Sequence, residues 1–170
     1  GGGEIRRRVY ILQLKKEEKC GKISKDYAEY GGHKMLINWI RIKGFRNFDD
    51  ETIHFSKKTL IIGANDIGKS NLLYALRILF DKSLNDRDLE LSASDYNAYS
   101  KASEIEITVE ITNIREDCLR SVFREAIKDD KLYIQYKISK GEQPKFYVGY
   151  AEDLLEEKCS RFYIRNLNME

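Results

Sequence analysis

The sequence predicts an α/β fold built around a phosphate-binding loop, with antiparallel β-hairpins attached. Three observations predict it. The octapeptide Gly63-Ala64-Asn65-Asp66-Ile67-Gly68-Lys69-Ser70 fits the pattern G-x-x-x-x-G-K-[ST] at every fixed position. It stands between a short apolar run, Thr59-Leu60-Ile61-Ile62, and a helical pattern that begins at Lys69, which is the strand–loop–helix context the motif requires. Further on, residues 104–112, 132–138 and 146–150 alternate apolar and polar with a period of two, as half-buried antiparallel strands do.

Residues 1–34 differ from the rest. They hold nine Lys/Arg against five Asp/Glu, a net charge of +4 that leaves −2 for the remainder. Gly1-Gly2-Gly3 is a flexible start, Arg6-Arg7-Arg8 a basic cluster, Val9 to Leu14 a candidate strand, and Lys15 to Lys25 a solvated charged stretch. Two readings stand: a basic arm that touches nucleic acid, and a segment outside the working protein. The second is favoured, because Met35 opens a clean strand pattern. In addition, Gly31-Gly32-His33-Lys34 back-translates through a ribosome-binding-like GGAGG just ahead of it.

The chain from 36 to 45 reads as a strand, with Ile40 and Ile42 facing inward and Arg41 and Lys43 outward. Gly44 to Asp50 reads as a turn-rich connection and Thr52 to Phe55 as a second strand, with His54 on its exposed face. Within the loop motif, Gly63 and Gly68 permit the backbone angles that gather main-chain N–H groups around a phosphate. The new helix points its positive end at the same anion. Lys69 supplies a mobile charge for β- and γ-phosphates, and the Ser70 hydroxyl is a ligand for Mg²⁺.

The helix is expected from Lys69 to about Lys82, burying Leu72, Leu73, Leu76, Leu79 and Phe80, with Tyr74, Arg77 and Asp81 opposite. Residues 83–103 read as a solvated irregular loop. The spacing of Asp86, Asp88, Glu90 and Asp95 matches no calcium loop. The strand Glu104–Thr112 presents Ile105, Ile107, Val109 and Ile111 to the core, and Glu104, Glu106, Thr108 and Glu110 to a wet face. Asn113 with Glu116 resembles a capping box for a helix burying Leu119, Val122, Phe123, Ala126 and Ile127, which Asp129-Asp130 ends. Leu132 to Ile138 and Phe146 to Tyr150 form a hairpin, in which strand packing explains the tyrosines better than base stacking. Residues 151–158 read as a short acidic helix.

Composition sets the outer bounds. The chain has 170 residues and 42% hydrophobic content, enough for one domain with a core. No run is long and apolar enough to span a bilayer, so no membrane partner is expected. Cys20, Cys118 and Cys159 are odd in number and far apart, which excludes a C-x-x-C site and fits a reducing, cytoplasmic compartment.

Ile40-Arg41-Ile42-Lys43-Gly44-Phe45-Arg46-Asn47-Phe48, followed by Leu60 to Leu73, resembles the N-terminal ATPase segment of the RecF/SMC-type cassette ATPases. Within them the chain is most similar to the OLD-family nucleases, including the Gabija type. That branch is favoured by Asn65-Asp66-Ile67, Leu73 to Arg77, and Ser94-Asp95-Tyr96. The resemblance covers residues 35 to about 150. It implies a P-loop NTPase fold, a partial ABC/SMC-type head with an antiparallel β-subdomain. It also implies ATP and Mg²⁺ as cofactors, with Gly63, Ala64, Asn65, Asp66, Ile67, Gly68, Lys69, Ser70 and Asn71 around the nucleotide. Lys69 takes the catalytic role and Ser70 the metal, while Arg46 and Asn47 lie at the family's turn near the nucleotide. Such heads pair with a second copy and act on DNA, and OLD-type proteins add a C-terminal TOPRIM nuclease used in phage defence.

The chain departs from that pattern. It has no apolar strand ending in Asp-Glu, no glycine-bearing signature (Leu91-Ser92-Ala93-Ser94 lacks the glycines), no glutamine between 71 and 134, and no TOPRIM carboxylates. Residues 35–170 therefore read as the first, incomplete part of an ABC-type ATPase domain. The alternatives are a RecF- or SMC-type repair ATPase without a nuclease, a stand-alone P-loop kinase or GTPase, and a nucleic-acid-binding module. The two hairpins disfavour the kinase or GTPase. The expectation for the isolated 170 residues is weak nucleotide binding or very slow hydrolysis, because catalysis of this kind rests on positioning and electrostatics. Brisk, Lys69-dependent ATP turnover in a phosphate-release assay would refute it.

Overall fold

The computed structural model of the chain describes residues 10–13, 35–56, 59–62, 68–114, 123 and 125–155. Seven strands and one α-helix make up its regular structure: β1 (Tyr10–Gln13), β2 (Leu36–Phe45), β3 (Phe48–His54), β4 (Thr59–Ile62), α1 (Lys69–Phe80), β5 (Glu104–Thr112), β6 (Lys131–Ser139) and β7 (Lys145–Gly149). Five strands form one antiparallel sheet in the order β3-β2-β5-β6-β7, and β4 pairs with β1 in a separate two-stranded ladder. Part of the basic extension thus lies against the strand that leads into the phosphate loop, with Tyr10 opposite Ile62 and Gln13 opposite Thr59.

The alternation of the sequence becomes rows of side chains on the large sheet. Ile40, Val109, Ile134 and Val148 align across β2, β5, β6 and β7, and Ile42, Ile107, Tyr136 and Phe146 form the next row. All eight are buried. Such cross-strand apolar pairs set the register, since a slip of one residue would turn the whole row to the other face. Tyr136 and Phe146 meet edge-on, 5.4 Å between centroids. α1 joins the same core through Leu72, Ala75, Ile78 and Leu79.

Several expectations are corrected. β3 begins at Phe48, because only Arg46 and Asn47 are needed to turn the chain between the paired Phe45 and Phe48. The buried stripe of α1 is rotated from the expected one. Leu73 is 54% exposed, Ala75 and Ile78 are fully buried, and Tyr74 stacks on Phe45 at 6.3 Å. The helix ends at Phe80. Residues 83–103 are not a purely solvated loop, for Leu84, Leu89, Tyr96 and Asn97 are buried. Two 3₁₀ turns, Asp86–Leu89 and Ala93–Asp95, each carry a reciprocal capping box, from Asn85 with Asp88 and from Ser92 with Asp95. The buried Tyr136 hydroxyl donates to the Leu89 carbonyl at 2.6 Å. Asn113 has φ 61°, in the left-handed region and not the extended conformation of an N-cap. Most of the helix expected after it, and all three cysteines, lie outside the described residues.

The outer face of the sheet is wet at one end only. Lys137 bridges Glu104 and Glu106 at 2.8 and 2.9 Å, and Arg41 forks onto Asp50 and reaches Glu152 at 2.5 Å. Glu110, however, is 2% exposed. A bulge between Ile37 and Trp39 leaves Asn38 as the extra residue of β2, and its amide donates to Glu110 at 2.5 Å. The Tyr133 hydroxyl donates to the other carboxylate oxygen, and Tyr133 packs edge-on against Trp39 at 5.6 Å. The two rings cover what the sequence placed in water.

Burial opposes the ionisation of Glu110, but hydrogen bonds from Tyr133 and Asn38 and the charge of Lys131 outweigh it and hold the carboxyl below its usual range. The same contact pushes the Tyr133 hydroxyl up to about 12, with burial as the first cause. A carboxyl depressed in the fold stabilises above its unfolded pKa of about 4.3, and that stability is lost as pH falls through the lower folded value. Glu110→Gln is therefore expected to lower stability at neutral pH by about 1–3 kcal/mol and to flatten the acid limb. Urea midpoints of both proteins from neutral pH to about pH 3 measure this.

Candidate functional site

The helix that carries the motif's Lys69 and Ser70 starts in an unusual way. Gly68 stands at its N-cap with φ 127° and ψ −16°, a conformation open essentially to glycine alone. No side chain caps the helix and no acidic residue lies in its first turn. An α-helix leaves its first backbone N–H groups without intrahelical partners, and these are normally met by Ser, Thr, Asp or Asn. Such a start offers its positive end and its main-chain donors to an anion. Lys69 is half-buried and Ser70 exposed on this first turn. The donor set suits a Mg²⁺-bound polyphosphate: main-chain N–H groups and an ammonium for the phosphates, and one hydroxyl for a hard cation that keeps most of its waters.

A second structure converges on that turn. The two residues between β2 and β3 are Arg46 and Asn47, and Arg46 has φ 51°. Its guanidinium donates from Nη1 to Asn71 Oδ1 at 2.9 Å and from Nε to Asp95 Oδ1 at 2.8 Å. Asn71 in turn donates to Asn47 Oδ1 at 2.6 Å. The guanidinium carbon lies 4.6 Å from the Tyr74 ring centroid and 5.0 Å from that of Phe45. Thus the neighbours Arg46 and Asn47 form one network with Asn71, which lies far from them in sequence and directly after Ser70.

Gly44 makes the approach of these parts possible. It has φ 66°, and a Cβ built on it would sit 2.3 Å from the Glu104 carbonyl oxygen. Its own carbonyl accepts from Asn97 N at 2.8 Å, while Phe45 bridges to Tyr96. The end of β2 is thereby sewn to the 92–97 segment.

Of the residues singled out in the sequence, Gly68, Lys69, Ser70, Asn71, Arg46 and Asn47 are placed around the start of α1. Gly63, Ala64, Asn65, Asp66 and Ile67 lie outside the described residues. Asp95 joins the network without having been assigned to it from the sequence. Burial works against its ionisation, but hydrogen bonds from Arg46 and Ser92 hold its carboxyl below the usual range. The legible signal was the Ser92-x-x-Asp95 spacing of a capping box.

Comparison with known proteins bears on what such a site does. The family model described as an AAA ATPase domain matches residues 35–168. Endonuclease GajA of Bacillus cereus (strain VD045) is 44% identical over 85 residues, 49% of this chain and 14% of that protein. DNA replication and repair protein RecF of Gloeothece citriformis (strain PCC 7424) is 37% identical over 65 residues, 35% of this chain and 17% of that one. The chain therefore spans only a small part of the curated relatives it matches. Among solved structures, a chain from work on ATP-driven dimerization and DNA stimulated activation of SMC ATPases superposes with a TM-score of 0.56 at 25% identity, covering 77% of this chain and 76% of that one.

The glycines give a test of the site's framework. Gly44→Ala should lower stability by roughly 2–4 kcal/mol, from the left-handed backbone and the collision with Glu104 together. Gly141 at the β6–β7 hairpin tip shares a positive φ of 80° but has open space around it. Gly141→Ala should lower stability by only about 1–2 kcal/mol. Urea denaturation of the two variants compares them directly.

Proposed function

Because the chain belongs to the AAA ATPase domain family, as an ATPase segment of the OLD/RecF/SMC-like kind, we propose that the start of α1 binds ATP with Mg²⁺. The observation that carries this is the uncapped, acid-free helix N-terminus behind Gly68, followed at once by Lys69 and Ser70. In this reading the loop Gly63, Ala64, Asn65, Asp66, Ile67 and Gly68 wraps the phosphates with main-chain N–H groups. Lys69 neutralises charge on the outer phosphates and is the catalytic residue of this chain. Ser70 holds the cation. Mg²⁺, when bound, supplies charge neutralisation across the phosphates. Asn71, Arg46 and Asn47 border the nucleotide, and the guanidinium, with donors beyond those given to Asp95 and Asn71, offers further N–H groups to an anion.

In a longer protein this segment serves as one part of an ATPase head. Two heads close on ATP and regulate action on DNA in the cytoplasm of a bacterial or archaeal cell. Similarity to Endonuclease GajA supports coupling to a nuclease, and the resemblance to OLD-family nucleases of the Gabija type carries with it a role in phage defence. The RecF relatives support a second reading, a repair ATPase with no nuclease. Residues 35–170 are the first portion of the head, and residues 1–34 are an extension that sets β1 against its strand β4.

Titration of the chain with a fluorescent ATP analogue and Mg²⁺, carried to millimolar concentration, tests the site. Saturable binding is expected to weaken about tenfold or more in Lys69→Ala and to weaken when EDTA removes the cation. Equal binding by the wild type and Lys69→Ala would overturn the assignment.

A further inference from the structure

We infer that Asp95 is a positioning residue for the nucleotide site, acting through Arg46; this rests on the ATP-binding reading above. The two-residue turn between the paired Phe45 and Phe48 places Arg46 in a left-handed conformation, φ 51°. Two contacts from a single residue hold it there. The Arg46 N–H donates to the Asp95 carbonyl at 2.7 Å, and Arg46 Nε donates to the Asp95 carboxylate at 2.8 Å. Backbone and side chain of the arginine are thus gripped by backbone and side chain of the same aspartate.

Asp95 is itself fixed. Its second carboxylate oxygen accepts from Ser92 N at 2.9 Å and Ser92 Oγ at 2.8 Å, which closes the 3₁₀ turn Ala93–Asp95. The next two residues, Tyr96 and Asn97, are buried and tied to Phe45 and Gly44. The aspartate therefore stands on a rigid base and holds the guanidinium beside the stacked rings of Phe45 and Tyr74, against Asn71. An arginine with this many torsions loses much side-chain entropy when it settles on an anion. Holding it in place beforehand removes that loss from the binding step. The two oxygens divide the labour: one caps the turn and one aims the arginine. An asparagine has a single acceptor oxygen, so it serves one task and abandons the other.

A double-mutant cycle on the 170-residue chain tests this, read as affinity for a fluorescent ATP analogue with Mg²⁺. Arg46→Ala and Asp95→Asn should each weaken binding about tenfold, and the double variant should be no weaker than Arg46→Ala alone. Asp95→Glu, which keeps both acceptor oxygens, should recover part of the affinity. Ser92→Ala, which loses one of the two contacts that fix the aspartate, should weaken binding less than Asp95→Asn does. Thermal unfolding of each variant identifies any that fails to fold. Unchanged affinity in Asp95→Asn while Lys69→Ala loses binding overturns the inference and leaves the ATP site standing. Additive losses in the double variant overturn it too, since they place Asp95's effect outside Arg46. Indifference of binding to Lys69→Ala overturns both readings together.

Discussion

Arg46 occupies a backbone conformation that is unfavourable by on the order of 1–2 kcal/mol for a side chain with a Cβ, at the two-residue turn where β2 becomes β3. The turn is short because Phe45 and Phe48 are both fully buried and paired, which leaves no slack between them. Everything at the working end follows from that constraint. The guanidinium is delivered beside the stacked Phe45 and Tyr74, and the Asp95 turn is drawn against it. Asn71 meets Arg46 and Asn47 together, so the first turn of α1 is registered against the tip of the sheet. A helix start that, among the described residues, lacks a side-chain cap is thus held by contacts from its flank.

The sheet supports this end by having two different faces. The inner rows from Ile40 to Val148 and from Ile42 to Phe146 are dry, and each such side chain contributes roughly 1.5–3 kcal/mol on burial. The outer face mixes exposed ion pairs, of small individual effect, with one enclosed carboxylate at Glu110. That carboxylate accepts from the bulged Asn38 and from Tyr133 on the neighbouring strand. A strand displaced by one residue would leave it without donors, so the polar face reinforces the register the apolar face sets.

The parts most legible in the sequence are those whose partners are local or whose pattern is unbroken. β5 runs from Glu104 to Thr112 as its alternation predicts, and β4 and the start of α1 follow from the motif and its flanks. Legibility fails where a distant residue decides. Leu73 looks as apolar as Leu72, but the buried stripe runs through Leu72, Ala75, Ile78 and Leu79, and Leu73 falls beside it. Glu110 alternates with isoleucines like any exposed residue, and only Trp39 and Tyr133, from two other strands, enclose it. Arg46 and Asp95 are separated by 49 positions, and no spacing rule joins them. The site was therefore readable as a loop and a helix but not as a network.

Connections between a helix and the next strand are where lineages usually gain and lose residues, since such segments run over the surface. The one after α1 is different. The Tyr136 hydroxyl, rising from the middle of the sheet, fixes the Leu89 carbonyl, and the buried Leu84, Leu89 and Tyr96 make the connection part of the interior. Between Leu89 and Tyr96 an inserted residue would shift Asp95 off the arginine it faces. Length variation is left to places such as the tip around Gly141, where nothing crowds the chain. Related chains of very different overall size should thus keep the stretch from Leu89 to Tyr96 nearly constant in length, and a change there would mark a lineage whose site is built differently.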